Sequence, residues 1–244
     1  MNVRTLIASV ILAIALPVSA VAADSATASR PCDFDKAKIL LVGASGMIGS
    51  RILSEATSRG HCVIGAARRP ERIATGPNVL AQQLDAADRE ALTALARRAE
   101  VIVLSTSPRS GGDPMQEARA VGESAIAAAR ATGTRLIVVG GAGSLNLPDG
   151  TPFVETLPAA YRSEALAMKH VLELLRASDV NWTFFSPAER IAPGARTGRY
   201  RLGTTTLLRD ENGISRISAE DYAHALVNEI EKPAHERSQM TAAY

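Results

Sequence analysis

Along the chain the apolar positions follow two alternating periods. Short, nearly continuous apolar runs at 39–42, 62–66, 79–84, 101–105, 135–139 and 182–185 predict strands. A run apolar at successive positions is what a parallel strand covered on both faces requires. Between these runs the spacing lengthens to that of a helix. Ile48, Ile52 and Ala56 recur at i, i+4 and i+8, and 88–98 places Leu92, Leu95 and Ala96 inward. Asp113 before Pro114 pairs a capping residue with proline at the first helical position, opening a helix that runs to about 131 and stops at Gly133. A long helix is expected over 158–177. This alternation predicts an α/β fold, a single domain built on a doubly wound parallel sheet with right-handed crossovers.

After Pro187 the pattern changes. Residues 190–212 are rich in Gly, Thr and Arg, with short strand candidates at 200–202 and 205–208 joined by Gly203. Ser218 is expected to cap a final helix over 219–231, with Asp221 an acid near its start. In such sheets the ligand lies beyond the carboxyl ends of the strands, so this segment is expected to form a small C-terminal substrate lid.

The first 23 residues stand outside this rhythm and read as a cleaved signal peptide. Arg4 supplies the positive start, 6–18 an apolar core broken by Pro17, and Val21-Ala22-Ala23 or Ala20-Val21-Ala22 a small-residue cleavage site. The core is shorter than the roughly 18 to 20 residues that span a bilayer. An uncleaved anchor is the alternative. Arg4 stands alone, without a twin-arginine motif, and Ser29-Arg30-Pro31 before Cys32 is not a lipobox. The expected location is therefore outside the cytoplasm, in the periplasm, or the cytoplasm if the leader is misread, and the fold occupies 24–244. Cys32 and Cys62 then lie in an oxidising compartment, one just before the first strand and one opening the second. A disulfide and two separate small hydrophobes both fit the sequence, because pairing needs Cα atoms within about 7 Å.

Composition narrows the partners. With Arg4 removed from 27 basic residues, 26 face 25 acids, and aromatics make up 4%. Near-neutrality argues against a general nucleic-acid binder, and scarce aromatics against stacking of single strands. A small-molecule substrate is expected, with no membrane contact after signal cleavage.

The first strand and the turn after it carry the chemistry. Residues 38–49 read KILLVGASGMIG, a buried strand running into a glycine-punctuated turn that opens a helix. Gly43 is expected to allow the sharp exit, Gly46 to let a pyrophosphate approach the backbone, and Gly49 to let the helix pack on the sheet. The helix N-terminus offers N–H groups and a positive dipole end to phosphate, which makes Gly43, Ser45, Gly46, Met47, Ile48 and Gly49 candidate cofactor contacts. The spacing G-x-x-G-x-x-G departs from the usual G-x-G-x-x-G, and a tight turn that binds nothing is the alternative. Where NAD-selective folds carry an acid, roughly 20 residues on, this chain has Arg68, nineteen positions after Gly49, and Arg69. A guanidinium suits a 2′-phosphate, so NADP(H) is expected over NAD(H), unless the two are simply solvated arginines. Asp85, after the third strand, is a candidate acceptor for an adenine amino group or a turn cap, and Ser105 ends the fourth strand within reach of the same ligand.

Taken with 138–145 (VVGGAGSL), 181–188 (NWTFFSPA), 194–203 (GARTGRYRLG) and 217–223 (ISAEDYA), the glycine turn resembles the atypical short-chain dehydrogenases of the NAD(P)H-binding type. The resemblance is strongest to the NADH-flavin reductase group, related to biliverdin-IXβ/flavin reductase, and covers the whole mature chain. It implies a Rossmann-type domain, a reduced nicotinamide as donor, and a flavin or similar conjugated ring as acceptor. Ser144 resembles the family's serine position, where a hydroxyl orients a substrate carbonyl, and a turn-capping role fits it equally. Ser144 and Tyr161 are the candidate catalytic residues. The family's Tyr-x-x-x-Lys is absent, since Ala165 follows Tyr161 at four positions and Lys169 at eight, about 12 Å away by helical rise. Direct hydride transfer to a ring fits this better than carbonyl reduction with tyrosine as proton donor. Two other readings remain: a non-catalytic NAD(P)-binding redox sensor like the NmrA-like regulators, and a nucleotide-sugar epimerase or dehydratase. His61, His170, His224 and His235 show no metal-ligand spacing, so no metal is expected. A nucleophile elbow and a P-loop are likewise missing.

Overall fold

The computed structural model describes Met1, residues 32–109 and residues 111–244. The expected leader at 1–23 lies outside the described residues. β1 (Ala37–Val42) runs parallel between β2 (Val63–Ala67) and β4 (Ala99–Leu104). With β3 (Val79–Gln83), β5 (Arg135–Val139), β6 (Trp182–Ser186), β8 (Arg201–Gly203) and β10 (Ser238–Ala243), the strands order β3-β2-β1-β4-β5-β6-β10-β8. All neighbours are parallel except β8, which pairs antiparallel with β10. The first six strands have the 3-2-1-4-5-6 order of a dinucleotide fold.

Successive residues of each strand point to opposite faces, so the apolar runs split into two cores. Leu40, Ile64, Ile102, Leu136 and Phe184 face α2 (Arg89–Ala96), α3 (Pro114–Thr132) and α5 (Ala159–Arg176). Ile39, Leu41, Val103, Ile137 and Phe185 face α1 (Met47–Ser58) and α6 (Ala219–Glu231). A short α4 (Phe153–Thr156) precedes α5. The caps are where the sequence places them. Asp113 accepts from Met115 N–H ahead of Pro114, Gly133 ends α3 at φ 69°, and Ser218 accepts from Asp221 N–H.

The C-terminal part departs from expectation in detail. The strand expected at 200–202 sits one residue later as β8, and 205–208 forms only an isolated bridge between Thr206 and Asn146. β7 (Arg190–Ala192) and β9 (Arg216–Ser218) make a separate two-stranded sheet. β10 was not foreseen; its SQMTAA sequence has little strand propensity, and burial against β6 decides its conformation. The segment expected as a lid is fastened down by charge. Arg196 donates to the Glu55 carboxylate of α1 through Nε and Nη2, at 2.6 and 2.8 Å, and the buried Asp221 accepts from Thr197 N–H, Thr197 O–H and Gly198 N–H. Thr205 and Leu207 hydrogen-bond the backbone of Asn146, just past the turn after β5.

Glu55 has a measurable role in acid. Its hydrogen bond from Arg196, helped by Arg59, overcomes burial and holds the carboxyl at about 2, against 4.5 for a free glutamate. A lowered folded pKa stabilises above the unfolded value and is lost as pH falls towards the folded one, here between about 4.5 and about 2. Glu55→Gln should remove roughly 2 kcal/mol of pH-dependent stability across that window. Urea midpoints at pH 2.5 and pH 5 should converge between variant and wild type in acid; parallel curves would exclude this role.

Cys32 and Cys62 are joined by a disulfide, their Cα atoms 5.5 Å apart. It ties the entries of β1 and β2, at the end of the sheet away from Gly43. Closing a loop with a sequence separation of 30 is worth roughly 3 to 4 kcal/mol in chain entropy. Reduction, or Cys62→Ser, should lower the melting temperature by about 10 °C, and an unchanged melting curve with reductant would refute the cross-link's contribution.

Candidate functional site

At β1 and β4 the chain turns to opposite halves of the sheet, and a cavity of about 460 Å³ opens there beyond their carboxyl ends. The turn after β1 shapes one side. Gly43 has φ 86°, and a Cβ on it would stand 2.1 Å from the carbonyl oxygen of Ser105, so only glycine lets this turn lie against the exit of β4. A Cβ on Gly49 would stand 2.1 Å from the Gly43 carbonyl oxygen; the close contact that requires glycine is with the turn, not with the sheet as expected. Gly46 differs from both. Among the described residues its one near neighbour would be the Gly43 oxygen at 3.3 Å, and it lines the open cavity.

Gly46 is also the N-cap of α1, whose first turn has neither a capping side chain nor an acid. The N–H groups of Met47, Ile48 and Gly49 are thus left to an acceptor from outside the helix. Ser45 is exposed beside them and lines the cavity. This donor set fits a diphosphate, and Gly46 leaves the space its approach needs.

At the end of β2 the cavity meets Arg68, Arg69 and Arg72. All three are exposed, and no carboxylate pairs with them among the described residues. Arg69 is the N-cap and Arg72 the last residue of a 3₁₀ turn over Pro70–Arg72, and both line the cavity. Arg72 was not foreseen; its spacing from Arg69 beyond a proline is the signal that marks it. Asp85 lines the cavity, but its Oδ1 accepts from Ala87 N–H at 3.0 Å and caps the turn after β3. Ser105 lines the same cavity and donates its N–H to Val42 O at 2.8 Å. The inner wall is apolar, with Leu104, Ala118, Val121, Met168 and Val171. Arg109 spans the other side, its Nε and Nη2 each 2.8 Å from the Glu164 carboxylate on α5.

A family model described as NAD(P)H-binding matches residues 43–233, from the first glycine of the turn almost to the end of α6. The chain belongs to the NAD(P)H-binding family. Solved structures resemble it closely. A proposed exported protein of Burkholderia pseudomallei is 43% identical with a TM-score of 0.77, covering 85% of this chain and 100% of that one. A proposed epimerase of Bacteroides thetaiotaomicron is 33% identical with a TM-score of 0.79, covering 85% and 97%. A proposed NADH-flavin reductase of Streptococcus pneumoniae is 28% identical with a TM-score of 0.70, covering 85% and 99%.

In this NAD(P)H-binding chain, Ser144 and Tyr161 stand apart from each other in kind. Ser144 is buried. Its hydroxyl donates to Gly141 O at 2.7 Å and lies 2.8 Å from Ser186 Oγ, while Gln239 of β10 donates to both hydroxyls at 3.1 and 3.0 Å. That group holds the β5 turn, β6 and β10 together. Tyr161, in the first turn of α5, is 64% exposed. Four residues on, Ala165 packs against Gly143, where an added Cβ would stand 2.7 Å from the alanine Cβ.

The blocks most specific to the family resemblance are packing devices. A Cβ on Gly140 would stand 2.1 Å from the Phe184 ring, so glycine there seats the aromatic. Phe185 stacks on Tyr222 with centroids 4.1 Å apart, and the Tyr222 hydroxyl donates to Phe185 O at 2.6 Å. Among the described residues no group of three or more His, Cys, Asp or Glu could hold a metal, and no helix is long and apolar enough to cross a membrane.

Proposed function

We propose that this protein is an NADPH-dependent reductase that delivers a hydride to a flavin or a similar conjugated ring, working in an oxidising compartment outside the cytoplasm. The observation that carries the cofactor choice is the row Arg68, Arg69 and Arg72 at the end of β2, unpaired among the described residues, where an acid would select NADH. When bound, NADPH supplies the hydride. The first-turn N–H groups of α1 grip its diphosphate, Gly46 admits it, and the arginines take the 2′-phosphate. Asp85 and Ser105 line the way between them.

The acceptor follows from what the chain does not assemble. Ser144 spends its hydroxyl on Gly141, and Tyr161 has alanine where the family's lysine would stand. A carbonyl substrate needs a wired proton donor, whereas a flavin-like ring takes hydride by position and the one proton that completes its reduction from water. The relative described as an NADH-flavin reductase agrees with this choice. Export is supported by the Cys32–Cys62 disulfide and by the relative described as exported.

The test is loss of NADPH absorbance on adding FMN, riboflavin, a bilin or a quinone; no turnover with any of them would overturn the reading. The same loose chemistry supports a non-catalytic sensor as a second reading, which predicts tight NADPH binding, no hydride transfer and a co-purifying partner protein. Cell fractionation with N-terminal sequencing checks export.

A further inference from the structure

α1, α3 and α5 follow parallel strands, so their first turns all stand at the carboxyl edge of the sheet. Each of those turns presents one exposed large apolar side chain: Met47 on α1, Met115 on α3 and Tyr161 on α5, at 40, 38 and 64% exposure.

Tyr161 is the outermost member of a stripe. Glu164, Met168 and Val171 follow it at i+3, i+7 and i+10, on one side of α5. Met168 and Val171 line the cavity, and Glu164 grips Arg109, which also lines it. By helical rise Tyr161 stands about 10 Å outward of Met168, on the same side. Its hydroxyl bonds no side chain among the described residues, Ala165 packs against Gly143 where a lysine would be needed, and Ser144 is turned inward. What Tyr161 offers a ligand is the face of its ring.

We propose that Tyr161 receives the acceptor ring by stacking and takes no part in proton transfer. Tyr161 is then the residue that sets acceptor affinity. The inference rests on the proposed reading that the acceptor is a flat conjugated ring, and it is tested by a signal that needs no turnover.

Riboflavin, which lacks a phosphate, is titrated with protein holding NADP⁺, and the quenching of flavin fluorescence is followed. Stacking on tyrosine quenches that fluorescence. The wild type should quench; Tyr161→Phe should bind within twofold of it, and Tyr161→Ala roughly tenfold more weakly, with NADP⁺ affinity and melting temperature unchanged in both. Tyr161→Phe should also keep the wild-type pH profile for NADPH oxidation. A phenylalanine variant as weak as the alanine one would assign the role to the hydroxyl and overturn the proposal. So would an alanine variant that binds as the wild type does, or a wild type that binds NADP⁺ without quenching riboflavin. Quenching lost in the alanine variant but without NADPH oxidation in the wild type would uphold the stacking role and sink the reductase reading alone.

Discussion

Gly46→Ala is expected to fold with only a small loss of stability, from a 3.3 Å contact and a poorer N-cap, and to bind NADPH at least tenfold more weakly, while Gly43→Ala and Gly49→Ala are expected to lose stability outright. The contrast comes from what a methyl group meets. At 43 and 49 it would stand 2.1 Å from a backbone carbonyl oxygen, and at 43 the backbone is also in the left-handed region. Backbone cannot swing aside as a side chain can, so relief means moving β4 or α1, at a cost of about 3 kcal/mol or more and a fall in melting temperature of about 10 °C. At 46 the methyl would meet the Gly43 oxygen at 3.3 Å and would otherwise project into the cavity. It would displace the diphosphate from the N–H groups of α1, and the loss of one or two charge-assisted hydrogen bonds is worth tenfold or more. Calorimetric titration with NADPH beside thermal unfolding separates the two effects. A Gly46→Ala variant that binds like the wild type would remove the turn from the cofactor site.

The arginine row gives the second large effect. Arg68→Ala combined with Arg72→Ala should weaken NADPH binding by roughly 30- to 100-fold, since each charge-assisted bond to a phosphate contributes about 1.5 to 3 kcal/mol and the two overlap. NADH, with no phosphate at that place, should bind as before. Neither side chain holds a partner within the described residues, so their removal leaves no buried charge behind and should not move the melting curve. Equal losses for NADPH and NADH would mean that the arginines act on the shared part of the dinucleotide.

Strands and helices between residues 37 and 186, the short α4 aside, were legible because two periods wrote them: runs such as 136–139 are apolar throughout, and Asp113-Pro114 and Gly133 punctuate α3 at both ends. β10 was not, because its side chains are small and mixed and only their place between β6 and β8 makes them a strand. In the site, the glycines and Arg68 could be read from local spacing. Arg72 required knowing that the turn after β2 lies along the cavity, and Met168 and Arg109 required the packing of α5 against the loop after β4. Ser144 shows the opposite limit: the sequence locates its hydroxyl after β5 but cannot say that Ser186 and Gln239, 42 and 95 positions away, turn it inward.

The place of β10 makes one edge of the sheet depend on residues 238–243. Among the described strands β8 pairs with the sheet through β10, and β10 pairs in turn with β6. Without residues 238–243 that edge stays open, and the Gln239 amide that joins the two serine hydroxyls is missing.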